Sequence, residues 1–358
     1  VQASTDRIDL MGIAAMLLNY RGNCSPAQSG IYRNLRLIVR HRRKLVQMLT
    51  EVKNRVHGIV DELFSGFLKE QNTGIVAFTE SSLYLMEDRF SPKQICRRKR
   101  KKLIEILKRF GTSKAEQTAA KLQQYAAKVL HAPVEYVDTM QLSLSQHIKH
   151  IRCLKESIAQ MEKEIALNLA QTQGAFLTSV RGIGLILAAG VTAEIGDPNE
   201  QKPLNNLSSY AGIVPRVKQT GGIEGKTYTG PVARRCNRIL KDYVVQSAHH
   251  LGWHGPPDLM NDYKRRDASG QHANFGMGRR YLRMAMCLMR TSQIYLPSDL
   301  RKDDYALEEK ASYYLRNWPS LRAKWKKVDA LEEAFALNRP LGMWRQIVQD
   351  LYGITLKL

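Results

Sequence analysis

The segment Val180-Arg181-Gly182-Ile183-Gly184 constrains this chain more than any other stretch. Two glycines flank one isoleucine between an apolar run and a second apolar segment of small residues, Leu187, Ala188, Ala189 and Gly190, which closes at Ile195-Gly196-Asp197. Glycine relieves the steric limits on the backbone, so the pattern predicts a tight hairpin between two helices. A helix that opens straight after such a turn has N–H groups without intrahelical partners. Together with the helix dipole, these hold a phosphate well. The same spacing also serves as a purely structural helix–helix turn, and the segment alone leaves both readings open.

Charge narrows the choice of partner. The 358 residues carry 55 Lys+Arg against 33 Asp+Glu, a formal net charge of +22. A hydrophobic share of 44% and a charged share of 25% are ordinary for a globular chain long enough to bury a full core. A cationic imbalance of that size suits a polyanion binder rather than most enzymes of small metabolites. A basic solubility surface or a ribosome-like structural role is the plainer account. Cys24, Cys96, Cys153, Cys236 and Cys287 form no C-x-x-C pair, which argues against a zinc finger or a disulfide framework. No stretch reads as a signal peptide or a membrane span. A reducing cytoplasm is the default location.

Along the chain, Ser4 or Thr5 caps a helix expected from about Asp6 to Asn19, and Gly22 to Gly30 reads as a loop around Pro26. From Ile31 to about Phe67, apolar residues recur at helical spacing (Leu35, Ile38, Leu45, Val52, Val56, Ile59, Leu63). The polar face of that helix carries Arg33, Arg36, Arg40, Arg42, Arg43 and Lys44. Arg97-Arg98-Lys99-Arg100-Lys101-Lys102 is the densest positive run. Charge runs are usually just solvated, yet six consecutive bases repel one another without a counter-charge, which favours a nucleic-acid contact.

Leu144, Ile151, Ile158 and Ile165 fall seven apart, with Leu154 and Met161 at the complementary positions and Ile148 alongside. That pattern predicts a long helix with a coiled-coil seam. The seam packs either within its own chain or against a second copy. Further on, Pro231 to about Leu251 reads as a helix with Arg234, Arg235 and Arg238 near its start and Asn237 among them, and guanidinium groups so placed suit phosphates. His249, His250 and His254 lack a suitably spaced carboxylate or cysteine and read as structural. The last 60 or so residues, with Trp318, Trp325 and Trp344, read as helical and carry no assignable motif.

These motifs, in this order, resemble a bacterial transposase family, that of insertion sequences IS110, IS116 and IS902. The resemblance covers about Phe176 to Ala248, through Leu207-Ser208-Ser209-Tyr210-Ala211-Gly212-Ile213-Val214-Pro215-Arg216, then Gln219-Thr220-Gly221-Gly222, then Arg234-Arg235-Cys236-Asn237-Arg238-Ile239-Leu240. A second match lies at the start, where Thr5-Asp6-Arg7-Ile8-Asp9 resembles the acidic motif closing the family's DEDD-type, RNase H-like catalytic domain. Leu35-Arg36 through Lys53-Asn54-Arg55 also fits the family pattern.

The resemblance implies roles for particular residues. Asp6 and Asp9, three apart and so on one face of a helix, would be the last two acids of a Mg²⁺ site. A D-x-x-D at a helix start otherwise reads as an N-cap with dipole stabilisation. The family's other two acids belong to a strand-rich segment upstream, so the chain is expected to be truncated and its metal site incomplete. Thr220 would be the hydroxyl nucleophile where the family commonly has serine, its methyl group crowding the attack line. A turn residue is the alternative there. Arg181, Gly182, Gly184, Gly221, Gly222, Arg234, Arg235, Asn237 and Arg238 would bind DNA. Members of the family are guided by a structured RNA, so the resemblance adds a guide RNA to the partners. It also implies that the seam belongs to a protruding helical pair mediating a homodimer or higher oligomer.

The expected architecture is therefore mainly α. Residues 1–25 would be a remnant of an RNase H-like domain, 26–175 a basic helical and coiled-coil region, 176–295 a transposase domain containing a helix-hairpin-helix, and 296–358 a helical tail. The expected function is cutting and rejoining DNA during transposition. Two other readings stay open: a non-catalytic nucleic-acid-binding protein, and a Holliday-junction-type nuclease that would share the acids but not need Thr220.

Overall fold

The computed structural model describes residues 10–12, 14, 15, 18, 30–87, 90–130, 134–200, 204–219, 227–232, 236–270, 272–297, 299–301, 306–326 and 331–353. The described chain is mostly helical, as the sequence pattern implies, with one two-stranded antiparallel hairpin. Two long helices organise it. Helix α1 (Gly30–Leu63) and, later in the chain, α7 (Val134–Ala170) run antiparallel: Leu35 and Val39 pack in the same core as Ile165 and Ala166, whereas Val56, Val60 and Leu63 pack with Leu144, Ile148 and Ile151. Arg42 of α1 donates to Glu162 of α7 at 2.6 Å partway along.

This geometry corrects one expectation. Leu144, Ile151 and Ile165 are fully or almost fully buried, and Ile158 nearly so, against other elements of the same chain. The heptad pattern is real, but it serves an intramolecular helix pair rather than a contact between two copies. An apolar seam is satisfied by whichever helix reaches it first, and α1 has the matching length and stripe.

Between the two long helices the chain forms five short ones: α2 (Glu70–Thr73), α3 (Glu80–Glu87), α4 (Pro92–Arg97), α5 (Arg100–Arg109) and α6 (Ala115–Ala126). Phe64, Phe67 and Phe90 pack edge-on or tilted at the centre of this unit, with ring centroids 4.7–5.5 Å apart. Ser91 caps α4 by accepting from the Gln94 N–H, and Pro92 follows at the first helical position, where its missing N–H costs nothing. Lys99, Arg100, Lys101 and Lys102 lie on the exposed side of the α4–α5 junction.

The second core is built from α7's C-terminal half, a 3₁₀ turn (Gln173–Ser179), α8 (Leu185–Ile195), α9 (Leu204–Tyr210), α10 (Arg238–His254), α11 (Pro257–Ala268) and α12 (Ala273–Thr291), with strands β1 (Pro215–Gln219) and β2 (Thr227–Val232) between α9 and α10 in sequence. The strands pair with Val217 opposite Thr229 and Gln219 opposite Thr227. Here a second expectation fails: Pro231 lies in a strand, and the helix begins only at Arg238. Proline lacks the N–H for a helix interior, and Asn237 supplies the capping side chain that a helix start needs. The tail forms α13 (Leu307–Trp325), α14 (Leu331–Leu337) and α15 (Arg339–Tyr352), which pack onto this core through Trp318, Trp325 and Phe335.

Candidate nucleic-acid interface

The glycine motif forms the predicted turn, although its first arm is the short 3₁₀ turn rather than an α-helix. Gly182 has φ +90°, and a Cβ there would meet the His250 carbonyl oxygen at 3.1 Å and His254 backbone atoms at 3.3 Å. Conformation and space both require glycine. Gly184 differs. It is the N-cap of α8 in ordinary extended geometry (φ −89°), no side chain caps the helix there, and a Cβ would meet nothing within 4 Å. Its value is an open approach to the start of α8, beside the exposed Arg181. The small residues that follow have a packing role. A Cβ on Gly190 would fall 2.5 Å from the Tyr243 ring, so α8 and α10 pack closely there.

The tail holds this turn in place. Lys324 Nζ donates to the carbonyls of Thr178 and of Val180, the latter at 2.7 Å, and Trp325 Nε1 donates to Thr178 Oγ1 at 3.1 Å. Asn338 Nδ2 reaches the Thr172 carbonyl at 2.9 Å. Burial pulls the Lys324 ammonium down to about 7 from the ordinary 10.5. A tail without a motif is thus the scaffold of the motif. No spacing rule connects a lysine to two carbonyls more than a hundred residues upstream.

At the far end of α8 lies Glu194, whose side chain is fully buried. Its carboxylate accepts from Arg40 Nε at 2.8 Å and Nη2 at 2.9 Å, from Arg36 Nη2 at 3.0 Å and from Asn237 Nδ2 at 2.7 Å. Burial alone would raise this carboxyl, but the hydrogen bonds from Arg40 and Asn237 and the charges of Arg36 and Arg40 outweigh it and hold the group below the usual carboxylate range. Glu194 escaped the sequence reading. It is, however, the sole acid among residues 171–195, and a lone charge in an apolar run implies a buried partner.

Asn237 completes the hub. Its Oδ1 accepts from the N–H groups of Ile239 and Leu240, capping α10, and its Nδ2 donates to Tyr210 Oη at 2.9 Å as well as to Glu194. Both amide hydrogens are thereby used, so Asn237 positions its neighbours. Arg238, the next residue, is exposed. An open groove of about 470 Å³ lies over these groups, lined by Arg36, Arg40, Tyr210, Asn237 and Arg238 among others. Three guanidiniums against one buried carboxylate leave the groove cationic.

The basic face expected on α1 is largely spoken for. Arg36 and Arg40 hold Glu194, Arg42 holds Glu162 and Arg43 bonds Asp242 of α10, leaving Arg33 and Lys44 exposed. Asp6, Asp9, Thr220, Gly221, Gly222, Arg234 and Arg235 lie outside the described residues. In sequence, residues 220–226 fall between β1 and β2, and residues 233–235 between β2 and Asn237. Among the described residues no cluster of three His, Cys, Asp or Glu could hold a metal ion, and no helix is long and apolar enough to cross a membrane.

Comparison with known sequences agrees with this organisation. The profile of the transposase IS116/IS110/IS902 family matches residues 174–264, which takes in the turn, α8, the strands and α10. A DEDD-type IS110 transposase profile matches residues 2–65, which takes in Asp6, Asp9 and α1. The chain is 24% identical over 269 residues to the insertion element IS110 uncharacterized 43.6 kDa protein of Streptomyces coelicolor, covering 73% of this chain and 64% of that protein. It is 25% identical over 273 residues to the insertion element IS116 uncharacterized 44.8 kDa protein of Streptomyces clavuligerus, covering 74% and 65%. A transposase for insertion sequence element IS1328 of Yersinia enterocolitica is 30% identical over 101 residues, or 28% of this chain and 29% of that one. The chain spans no more than 65% of the length of these relatives. Residues 2–65 and 174–264 thus match, in that order, transposase domain profiles of the IS110/IS116/IS902 type.

Proposed function

We propose that this chain belongs to a DNA transposase that cuts and rejoins strands during movement of an insertion sequence, and that the face formed by the 180–184 turn and the Arg40–Arg238 groove grips the DNA backbone. The observation that carries the reading is the Glu194 hub. It joins α1, from the DEDD match, to α8 and α10, from the transposase match, so that both matched regions share one cationic groove. In this reading Arg181, Gly182 and Gly184 receive one phosphate at the open start of α8, while Arg234, Arg235 and Arg238 contact others. Asn237 sets the start of α10 on which Arg238 stands. The exposed bases of Arg97–Lys102 serve the backbone of DNA or of a guide RNA. Assembly into a homodimer or higher oligomer would use surfaces other than the α1–α7 seam.

The chemistry rests on Thr220. Its hydroxyl oxygen forms a bond to a DNA phosphorus, the bond from that phosphorus to a strand oxygen breaks, and the departing strand hydroxyl takes up the proton. Gly221 and Gly222 let the phosphate approach. Asp6 and Asp9, three apart in sequence, suit Mg²⁺ completed by water and phosphate oxygens, and a bound Mg²⁺ would supply charge neutralisation at the phosphate. The test is a covalent-adduct assay with the protein, Mg²⁺ and labelled DNA taken from the borders of its own coding region. Thr220→Ala should lose the adduct while binding DNA normally, and Thr220→Ser should keep it. An undiminished adduct with Thr220→Ala would place the nucleophile elsewhere.

A further inference from the structure

One aromatic side chain stands apart from its kind. Trp318 and Trp325 are buried in the tail core and Trp344 is half-buried, but Trp253 is 62% exposed. It sits in the last turn of α10, and that turn is clamped on two sides. Gly182 of the hairpin packs on the backbone of His250 and His254, and a Cβ on Gly252 would lie 2.5 Å from the Tyr263 ring of α11. The Gly255 N–H closes the helix on the Leu251 carbonyl. The backbone under Trp253 is therefore fixed, while its ring projects outward beside the His249 ring, 6.2 Å away between centroids. His250 and His254 continue the row of rings at 6.1 Å.

The surroundings lack acids. The two segments that meet here, residues 171–193 and 243–257, contain no Asp or Glu, yet hold Arg181 and three histidines. Asp258, the next acid, is engaged by Arg280 and Tyr295. A rigidly mounted, exposed indole in segments that hold Arg181 and no carboxylate suits a flat, polarisable ring carried on an anionic chain.

We propose that Trp253 is a stacking platform for an unpaired nucleobase of a strand held at the 180–184 turn. This rests on the nucleic-acid reading above. Duplex DNA hides its base faces, so the platform would take a base from a strand that has been opened or displaced. Stacking of this kind tolerates any base, because each has a π-face.

The experiment follows the tryptophan emission and the anisotropy of a labelled oligonucleotide together, using the full chain, an all-thymidine single strand and a duplex of equal length. The single strand should quench emission as it binds, and the duplex should bind with little quenching. Trp253→Leu should abolish most of the quench and weaken single-strand binding by about fivefold to a hundredfold, with duplex binding held within about twofold. Trp253→Phe, which keeps a ring, should restore most of the affinity. Single-strand binding without quenching, or unaltered in Trp253→Leu, would overturn the platform and leave the nucleic-acid reading standing. No anisotropy change with either ligand would remove both. A shift in emission with protein concentration alone would instead give the site to a second copy of the chain.

Discussion

The Asn237 amide donates to the buried Glu194 carboxylate at 2.7 Å, tying the first turn of α10 to the last turn of α8. Arg40 reaches the same carboxylate from α1 with two hydrogen bonds. Three segments distant in sequence are thus fixed at one point. Removing the acid would leave the guanidiniums and the amide without their common acceptor. Glu194→Ala should cost about 3–5 kcal/mol of folding stability, read from the urea midpoint. Asn237→Ala should cost about 1–2 kcal/mol as a lost cap. A change below about 0.5 kcal/mol for Glu194→Ala would mean that the hub does not form.

Acid and alkaline limbs of the stability curve should report different residues. The Glu194 carboxyl is depressed in the fold, so its contribution is present above the unfolded carboxylate range and is lost as pH falls through the folded value. Glu194→Gln should flatten the acid limb. Lys324 is depressed to about 7, so between there and its ordinary value the unfolded chain binds more protons and stability rises with pH. Lys324→Met should remove that rise in thermal melts between about pH 7 and 9.

Charge in the groove should be visible in the salt dependence of DNA binding. Each phosphate contact contributes about −0.9 to the log–log slope for duplex DNA. Arg238→Gln should shallow the slope by about that amount, and charge reversal within Arg97–Lys102 by more. An unchanged slope for Arg238→Gln in filter binding across a salt series would take that residue out of the interface.

The seam of α7 gives a prediction about folding rather than assembly. Ile151 is fully buried beside Val56 and Val60. Ile151→Ala should therefore destabilise the protein by about 2–5 kcal/mol without altering its sedimentation coefficient under native conditions. If the variant sedimented more slowly with its unfolding midpoint intact, the seam would be intermolecular after all.

The physical content of these residues explains what was legible in the sequence. The 180–184 turn could be read because only glycine tolerates the conformation and the close approach at Gly182. Helices α1 and α7 were legible from apolar period, but a period states that a stripe must be covered, not by which partner. The strands were missed because Pro231 and the neighbouring arginines suggested the first turn of a helix, while the capping signal belonged to Asn237 six residues later. The basic face of α1 misled in another way. Arginines that pair with Glu194, Glu162 and Asp242 look, in sequence, like arginines waiting for phosphate, since their acids lie more than a hundred residues away. The tail was legible as helical, but its role was not. Lys324, Trp325 and Asn338 act on backbone carbonyls and a threonine hydroxyl, and these leave no complementary pattern.

The antiparallel α1–α7 pair has a mechanical consequence. The 34 residues of α1 extend about 50 Å at 1.5 Å per residue, and its two ends are seated in different cores. Close-packed interiors yield little, so the pair transmits rotation as a stiff beam does. A tilt of a few degrees imposed at the Glu194 hub would swing the aromatic unit around Phe64 and its exposed α4–α5 bases through several ångströms. A strand held at both ends of such a beam would be bent or stretched by the same movement. Distance along the helix pair would then act as leverage on whatever nucleic acid the two ends share.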